Sequence, residues 1–160
     1  MKQQYVLKNA ITFNPTGKLC NAVAAIATSA EIKAHKEYFG FNFQKNINDK
    51  ATVYKITKQT DDDVIQGLVS VKPAEGFLEC GNMELHKINK KPLLLHNGVG
   101  KAMVALCCKI SFELGNDGYI TFDAKTNLVN YYTRLGALNI GGIRMYIPTT
   151  AAKKLVDIYF

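Results

Sequence analysis

The sequence predicts one α/β domain. Three observations carry that expectation: a glycine-rich turn feeding an amphipathic helix, strand-like alternating segments on both sides of it, and 160 residues without linker, repeat or composition break. A chain of that length buries a core of ordinary size.

In the N-terminal half, Tyr5 to Leu7 is a candidate first strand. Gly17 to about Lys36 is expected to be helical, because the apolar run Leu19 to Ala27 suits a core helix and Ser29 can cap a second start. Thr52 to Thr57 alternates as a strand does. The polar turn Gln59 to Asp63 leads into Val64 to Val71, and Gly76 to His86 follows beyond Pro73. The three aspartates of that turn suit a solvated hairpin rather than a metal site.

The turn Leu95-His96-Asn97-Gly98-Val99-Gly100-Lys101-Ala102-Met103 comes next. Val99, Ala102, Met103, Leu106, Cys107, Ile110 and Leu114 recur at helical spacing behind it, and Gly115 can end the helix. After the turn Gly115 to Gly118, Tyr119 to Asp123 reads as a short strand. Thr126 or Asn127 can cap a second helix, Leu128 to Leu135, that stops at Gly136-Ala137. Ala137 to Ile140 and Arg144 to Ile147 flank Gly141-Gly142 as a hairpin, and Pro148 precedes a last helix, Ala151 to Tyr159. The apolar end Ile158-Tyr159-Phe160 suits packing on the domain or on a second copy in a homodimer.

The formal net charge of +7 includes Lys87, Lys90, Lys91 and Lys101 around the glycine turn, where they can attract phosphates or form a solvated face. No aromatic-interleaved basic stripe or nucleic-acid module accompanies them, which argues against a nucleic-acid partner. Cys20 and Cys80 stand alone and Cys107-Cys108 are adjacent, so neither a C-x-x-C pair nor a zinc spacing is present. His35, His86 and His96 are too scattered for a metal cluster. Reduced thiols and no bilayer-length apolar run lead to the expectation of a cytoplasmic protein without a metal or membrane association.

A helix start leaves its first amides unpaired and carries about half a positive elementary charge, and two glycines there let a large anion approach. The turn therefore reads as a phosphate cradle. A nucleotide P-loop needs glycine where Leu95 stands and Ser or Thr where Ala102 stands, and the dinucleotide fingerprint needs a third glycine at Met103. Both of those ligand classes are disfavoured.

Gly98 and Gly100, followed by a strand and then by Tyr132 four residues before Gly136, resemble the GNAT superfamily of acyl-CoA-dependent N-acyltransferases over about residues 64 to 148. That family's turn has the form Gln/Arg-x-x-Gly-x-Gly/Ala. Leu95 replaces its Gln or Arg, Ala137 its usual Phe after the second glycine, and Lys125 an Asn common seven residues before the tyrosine. The resemblance implies a mixed, mostly antiparallel central sheet flanked by helices, acetyl-CoA as cosubstrate and a primary amine as acceptor. It also implies cofactor contacts at Leu85, His86, Lys87, Asn97, Gly98, Val99, Gly100, Lys101 and Ala102, with the amides of the last four on the pyrophosphate. The thioester carbonyl is expected near Leu85 to Lys87, polarised by a backbone N–H.

Transfer to an amine with a pKa near 10.4 requires the free base, which costs on the order of 4 kcal/mol at neutral pH. Glu84 is the favoured base, with Glu79 and His86 behind it; a regular strand puts Glu79 and Glu84 on opposite faces. Tyr132 is the expected donor to the leaving sulfur, and Tyr131 is expected to pack. The competing expectation is a non-catalytic acyl-CoA-binding or RNA-associated module with the same fold.

Overall fold

The computed structural model describes residues 1 to 160. Its strands are β1 (Gln4–Phe13), β2 (Lys18–Ile26), β3 (Thr52–Lys58), β4 (Gly67–Ala74), β5 (Phe77–Leu85), β6 (His96–Asn97), β7 (Ile120–Asp123), β8 (Leu138–Gly141) and β9 (Arg144–Ile147). Its helices are α1 (Ser29–Ala34), α2 (Phe43–Asn48), α3 (Val99–Glu113), α4 (Val129–Arg134) and α5 (Thr149–Tyr159). One sheet holds all nine strands in the order β6-β1-β2-β3-β4-β5-β7-β9-β8. Every pairing is antiparallel except β5 with β7. No helix is long and apolar enough to cross a membrane.

The expected helix over Leu19 to Ala27 is a strand. Phe13 and Lys18 close a hairpin whose turn amides, Thr16 and Gly17, donate to the Phe13 carbonyl. β2 then sits between β1 and β3, where Ala22 and Ala24 are fully buried on one face. Sheet pairing on both edges overrides the helical preference of an alanine-rich run. Helix α1 does begin at Ser29, but its cap is Thr28: the Thr28 hydroxyl accepts from the Glu31 amide at 3.1 Å and Glu31 accepts from the Thr28 amide at 2.9 Å.

The sheet separates two apolar layers. On one face α3 and α5 cover the larger core, where Met103, Leu106 and Ile110 meet Ile56, Val69, Leu78 and Ile120. The C-terminal residues join it, Phe160 lying edge-on to Tyr5 at 6.3 Å, so that end packs on its own domain. Each such Leu or Ile contributes roughly 1.5–3 kcal/mol by leaving water. On the other face α1 and α2 cover a smaller cluster of Ile32, Phe43, Val53, Ile65 and Leu68.

Strand β5 carries a bulge. Met83 pairs with Val69 but Cys80 pairs with Val71, so β5 holds one extra residue between them. The Ser70 hydroxyl accepts from the Asn82 amide at 2.8 Å, and a Cβ at Gly81 would lie 2.6 Å from that same oxygen. The extra residue reverses the side-chain alternation beyond it. Leu78, Cys80, Met83 and Leu85 all pack on the α3 side, while Glu79 and Glu84 share the opposite face, contrary to the regular-strand expectation.

Candidate active site

Strands β5 and β7 are paired only at Leu78 with Ile120 and Glu79 with Thr121. Beyond that point they diverge. At the closed end Arg144 of β9 donates to both oxygens of Glu79 at 2.8 and 2.6 Å, and Thr121 donates to Glu79 at 2.5 Å. Arg144 and Thr121 lower the Glu79 carboxyl against the opposing effect of burial, so Glu79 is an ion-pair clasp and not a free base.

The open end of the gap is a cavity of about 530 Å³. Gly81, Met83, Glu84 and Leu85 line it from β5, Phe122 and Asp123 from β7, Gly100 and Met103 from α3, and Tyr132 from α4. The amide of Asn82 turns to Ser70 and that of His86 to the Gln66 carbonyl at 2.9 Å, both toward β4. Alternation along the strand turns the amides of Met83 and Leu85 into the gap.

Gly98 caps α3 in a left-handed conformation, φ 94°, with its Cα against β1: a Cβ there would sit 2.3 Å from the Ala10 carbonyl oxygen. The first helical bond runs from the Ala102 amide to the Gly98 carbonyl at 2.9 Å, and the amides of Val99, Gly100 and Lys101 donate to no protein group. The free donors are thus three, and the expected fourth, Ala102, is engaged. The side chains of Val99 and Ala102 are buried in the core and anchor this end. At Gly100 the missing side chain leaves room for Tyr131, whose hydroxyl would be 3.2 Å from a Cβ.

A buried polar chain holds the turn. Asn89 donates to the carbonyl and side-chain oxygens of Gln66 at 3.2 and 2.9 Å, and its own oxygen accepts from the His96 amide at 3.1 Å. That oxygen also lies 2.9 Å from His96 Nδ1, so the network assigns the ring proton to Nδ1. His96 Nε2 is left buried without a partner, and burial with Lys58 nearby drops the ring's pKa to about 4.

Tyr132 stands between Met83, 3.9 Å from its hydroxyl, and Phe122, 4.7 Å ring to ring. Burial pushes its pKa up to about 12. Glu84 also reaches the cavity but is engaged on every side: its oxygens accept from the amides of Gly40 at 2.8 Å and Phe41 at 2.9 Å and from Lys90 at 2.5 Å. Only 7% of it is exposed, and Lys90 with the two amides lowers its carboxyl in spite of burial. A carboxylate so held is a poor proton acceptor.

The remaining expected contacts divide. Leu85 and Gly100 line the cavity; the side chains of His86, Lys87, Asn97 and Lys101 do not. His86 stacks on Tyr38 at 4.5 Å and its Nδ1 accepts from the Ile88 amide at 3.0 Å, which makes it a structural cap. Lys87 lies over the Tyr38 ring, and Asn97 pairs with Thr12 at the sheet edge. Lys90 and Lys91 reach the cavity from the group of flanking lysines, joined by Lys125. Met83, Phe122 and Phe41 also line the cavity, and the sequence carries no signal for them, because they are single apolar strand residues and a loop aromatic.

No family model and no curated protein matches the sequence. Solved structures do match the fold. The structure of AtaTR bound with acetyl-CoA is 15% identical, with 84% of this chain and 97% of that one covered at a TM-score of 0.60. The ribosomal protein S18 alanine N-acetyltransferase of Escherichia coli is 11% identical, covering 80% and 94% at 0.61. A Bacillus subtilis acetyltransferase in complex with CoA is 15% identical, covering 78% and 97% at 0.56. With one sheet of this order, a parallel pair that splays, and a glycine-capped helix at the opening, this chain has the GNAT acetyltransferase fold.

Proposed function

We propose that the chain is an acetyl-CoA-dependent N-acetyltransferase acting on a primary amine. The observation that carries this reading is the cavity between β5 and β7, which runs from the start of α3 at Gly100 to Tyr132. Its shape and donors fit an extended thioester with an anionic end: three unpaired amides for the pyrophosphate, and the strand-edge amides of Met83 and Leu85 for the arm and the thioester carbonyl.

Bound there, acetyl-CoA supplies an activated acyl group: the amine nitrogen forms the C–N bond as the C–S bond breaks, and the proton that nitrogen loses balances the one sulfur gains. Tyr132 faces the leaving sulfur. With its pKa near 12 against about 8.5 for a thiol, handing over its proton outright is uphill by roughly 5 kcal/mol. Tyr132 therefore stabilises the thiolate as a hydrogen-bond donor and keeps its proton. Glu84 fixes the Gly40-Phe41 main chain and Lys90 at the cavity mouth, so its part is to position that wall. The amine then enters as its free base or loses its proton to water.

Calorimetry with acetyl-CoA, using ATP and NADH as controls, tests the reading. Selective micromolar binding followed by acetylation in an amine screen is the expected result. A folded protein that binds no CoA ester overturns it.

A further inference from the structure

A recess of about 620 Å³ lies beside α1 and α2, on the sheet face away from α3. Ile32, Phe39, Phe43 and Leu68 line it, and Gly40 and Phe41 bound it toward the gap between β5 and β7. Phe43 is buried, and the rings of Phe39 and Phe41 stand edge-on to it at 6.1 and 6.4 Å. The only charged residues of the recess are Lys33 and Lys36.

Recess and gap share one wall, because Phe41 lines both. Leu68 of β4 lies directly across from Glu84 of β5, so the floor of the recess and the carboxylate at the gap are neighbours on one face. Phe41 is 37% exposed, yet its main chain is pinned, since Glu84 accepts from the amides of Gly40 and Phe41. On the gap side the Lys125 ammonium lies 5.2 Å from the centre of the Phe41 ring. An exposed apolar ring gains by being covered, and a fixed main chain spares the ordering cost when a ligand covers it.

The gap limits which amine can react. Glu79 is bound to Arg144, Glu84 to two amides and Lys90, and His86 to the Ile88 amide, so none of the three is a free base. At pH 7 a lysine-type amine with a pKa near 10.4 is free base in about one molecule of 2,500, whereas an α-amine near 7.8 is free in about one of seven. An α-amine beside an amide carbonyl therefore supplies its own free base, a gain of several hundredfold in reactive concentration. Lys33 and Lys36 also oppose a second positive charge on the acceptor, which sets polyamines aside.

We propose that the acceptor is the α-amine of a peptide whose first residue is aromatic or branched apolar, with that side chain seated in the recess behind Phe41. This inference rests on the acetyltransferase reading above. In such an acceptor the side chain sits on the carbon that bears the amine, so a nitrogen in the gap brings the side chain to the shared wall. The α-nitrogen bonds to the acetyl carbon as the C–S bond breaks, and the proton nitrogen loses balances the one sulfur gains.

The test compares kcat/KM for tripeptides beginning with phenylalanine, leucine or glycine, for a lysine side chain in an Nα-blocked peptide, and for spermidine. The parent is expected to favour the phenylalanine and leucine peptides over the glycine peptide by at least about tenfold, the low end of what burying such a side chain contributes. Two variants follow, Ala30→Trp, which fills the recess from an exposed position of α1, and Phe41→Ala, which removes the shared wall. In each the preference should close to within about threefold, with melting curves and acetyl-CoA binding showing that the variant is intact. Equal rates for the three tripeptides in the parent, or a preference that survives in both intact variants, overturn the inference. Faster acetylation of the blocked lysine peptide or of spermidine overturns it as well. Binding of acetyl-CoA with no tripeptide acetylated overturns it and leaves the acetyltransferase reading standing, whereas no binding of acetyl-CoA overturns both.

Discussion

Replacing Gly98 by alanine separates the scaffold of the cradle from its ligand. The left-handed backbone at φ 94° costs an L-residue roughly 1–2 kcal/mol. The new Cβ would also stand 2.3 Å from the Ala10 oxygen, about 0.7 Å inside the closest approach such atoms tolerate, and the neighbour is main chain that cannot rotate away. β1 or the α3 start must therefore shift. A total loss of roughly 2–3 kcal/mol follows, which for a domain of this size lowers the melting temperature by about 5–10 °C. Gly100→Ala is the matched control. Its backbone is helical, alanine is favoured there by up to about 1 kcal/mol, and its Cβ meets only the movable end of Tyr131 at 3.2 Å. That variant should keep or raise the melting temperature and lose acetyl-CoA affinity because the methyl group fills the approach to the amides. Differential scanning calorimetry and binding titration read both. A Gly98→Ala protein that melts within 2 °C of the parent would refute the close packing of the turn on β1.

Tyr132→Phe is expected to lower kcat by about a hundredfold or more, with the acetyl-CoA KM nearly unchanged; because Tyr132 keeps its proton to about pH 12, the parent's rate should climb with amine deprotonation and not turn down before about pH 10. Equal kcat in the variant removes Tyr132 from the chemistry. Glu84 has its pKa depressed in the folded state, so its stabilisation is complete above the unfolded value near 4.3 and fades as pH falls through the lower folded value. Glu84→Gln should melt earlier than the parent at neutral pH, and the difference should shrink in acid. His96 is a base with a folded pKa near 4 against about 6.5 unfolded, so its buried neutral ring favours the fold above pH 6.5 and costs up to about 3 kcal/mol as pH falls toward 4. His96→Asn should flatten that part of the stability profile in denaturant titrations at pH 7.5 and 5.

The C-terminal half was legible because its signals are local. Glycines end α3 and turn the β8 to β9 hairpin, and the 3.6-residue periodicity of α3 survives as its buried face. The segment from Lys18 to Ile26 reads as a helix from sequence but is a strand, because an apolar run rich in alanine satisfies a helix or a central strand equally and pairing with β1 and β3 decides it. The hairpin residues Pro15-Thr16-Gly17 just before it were the available signal. At the site, the resemblance to the GNAT motifs is what points to the glycines and Tyr132, whereas Glu84 reads as a free base because nothing in the sequence brings Gly40, Phe41 and Lys90 to its oxygens.

The single extra residue of β5 has a consequence for how this gene can change. Substitutions around Gly81 and Asn82 alter one side chain, but loss of one codon there would rotate the rest of the strand by one pleat. Glu84 would turn under α3 into the apolar core, and Met83 and Leu85 would move out from beneath the gap, taking their amides to the β4 side. The wall of the cavity is thus written in a local reading phase, kept by Ser70 and Gly81, and deletions in this stretch should be eliminated far more stringently than deletions in the exposed turn from Thr60 to Asp63.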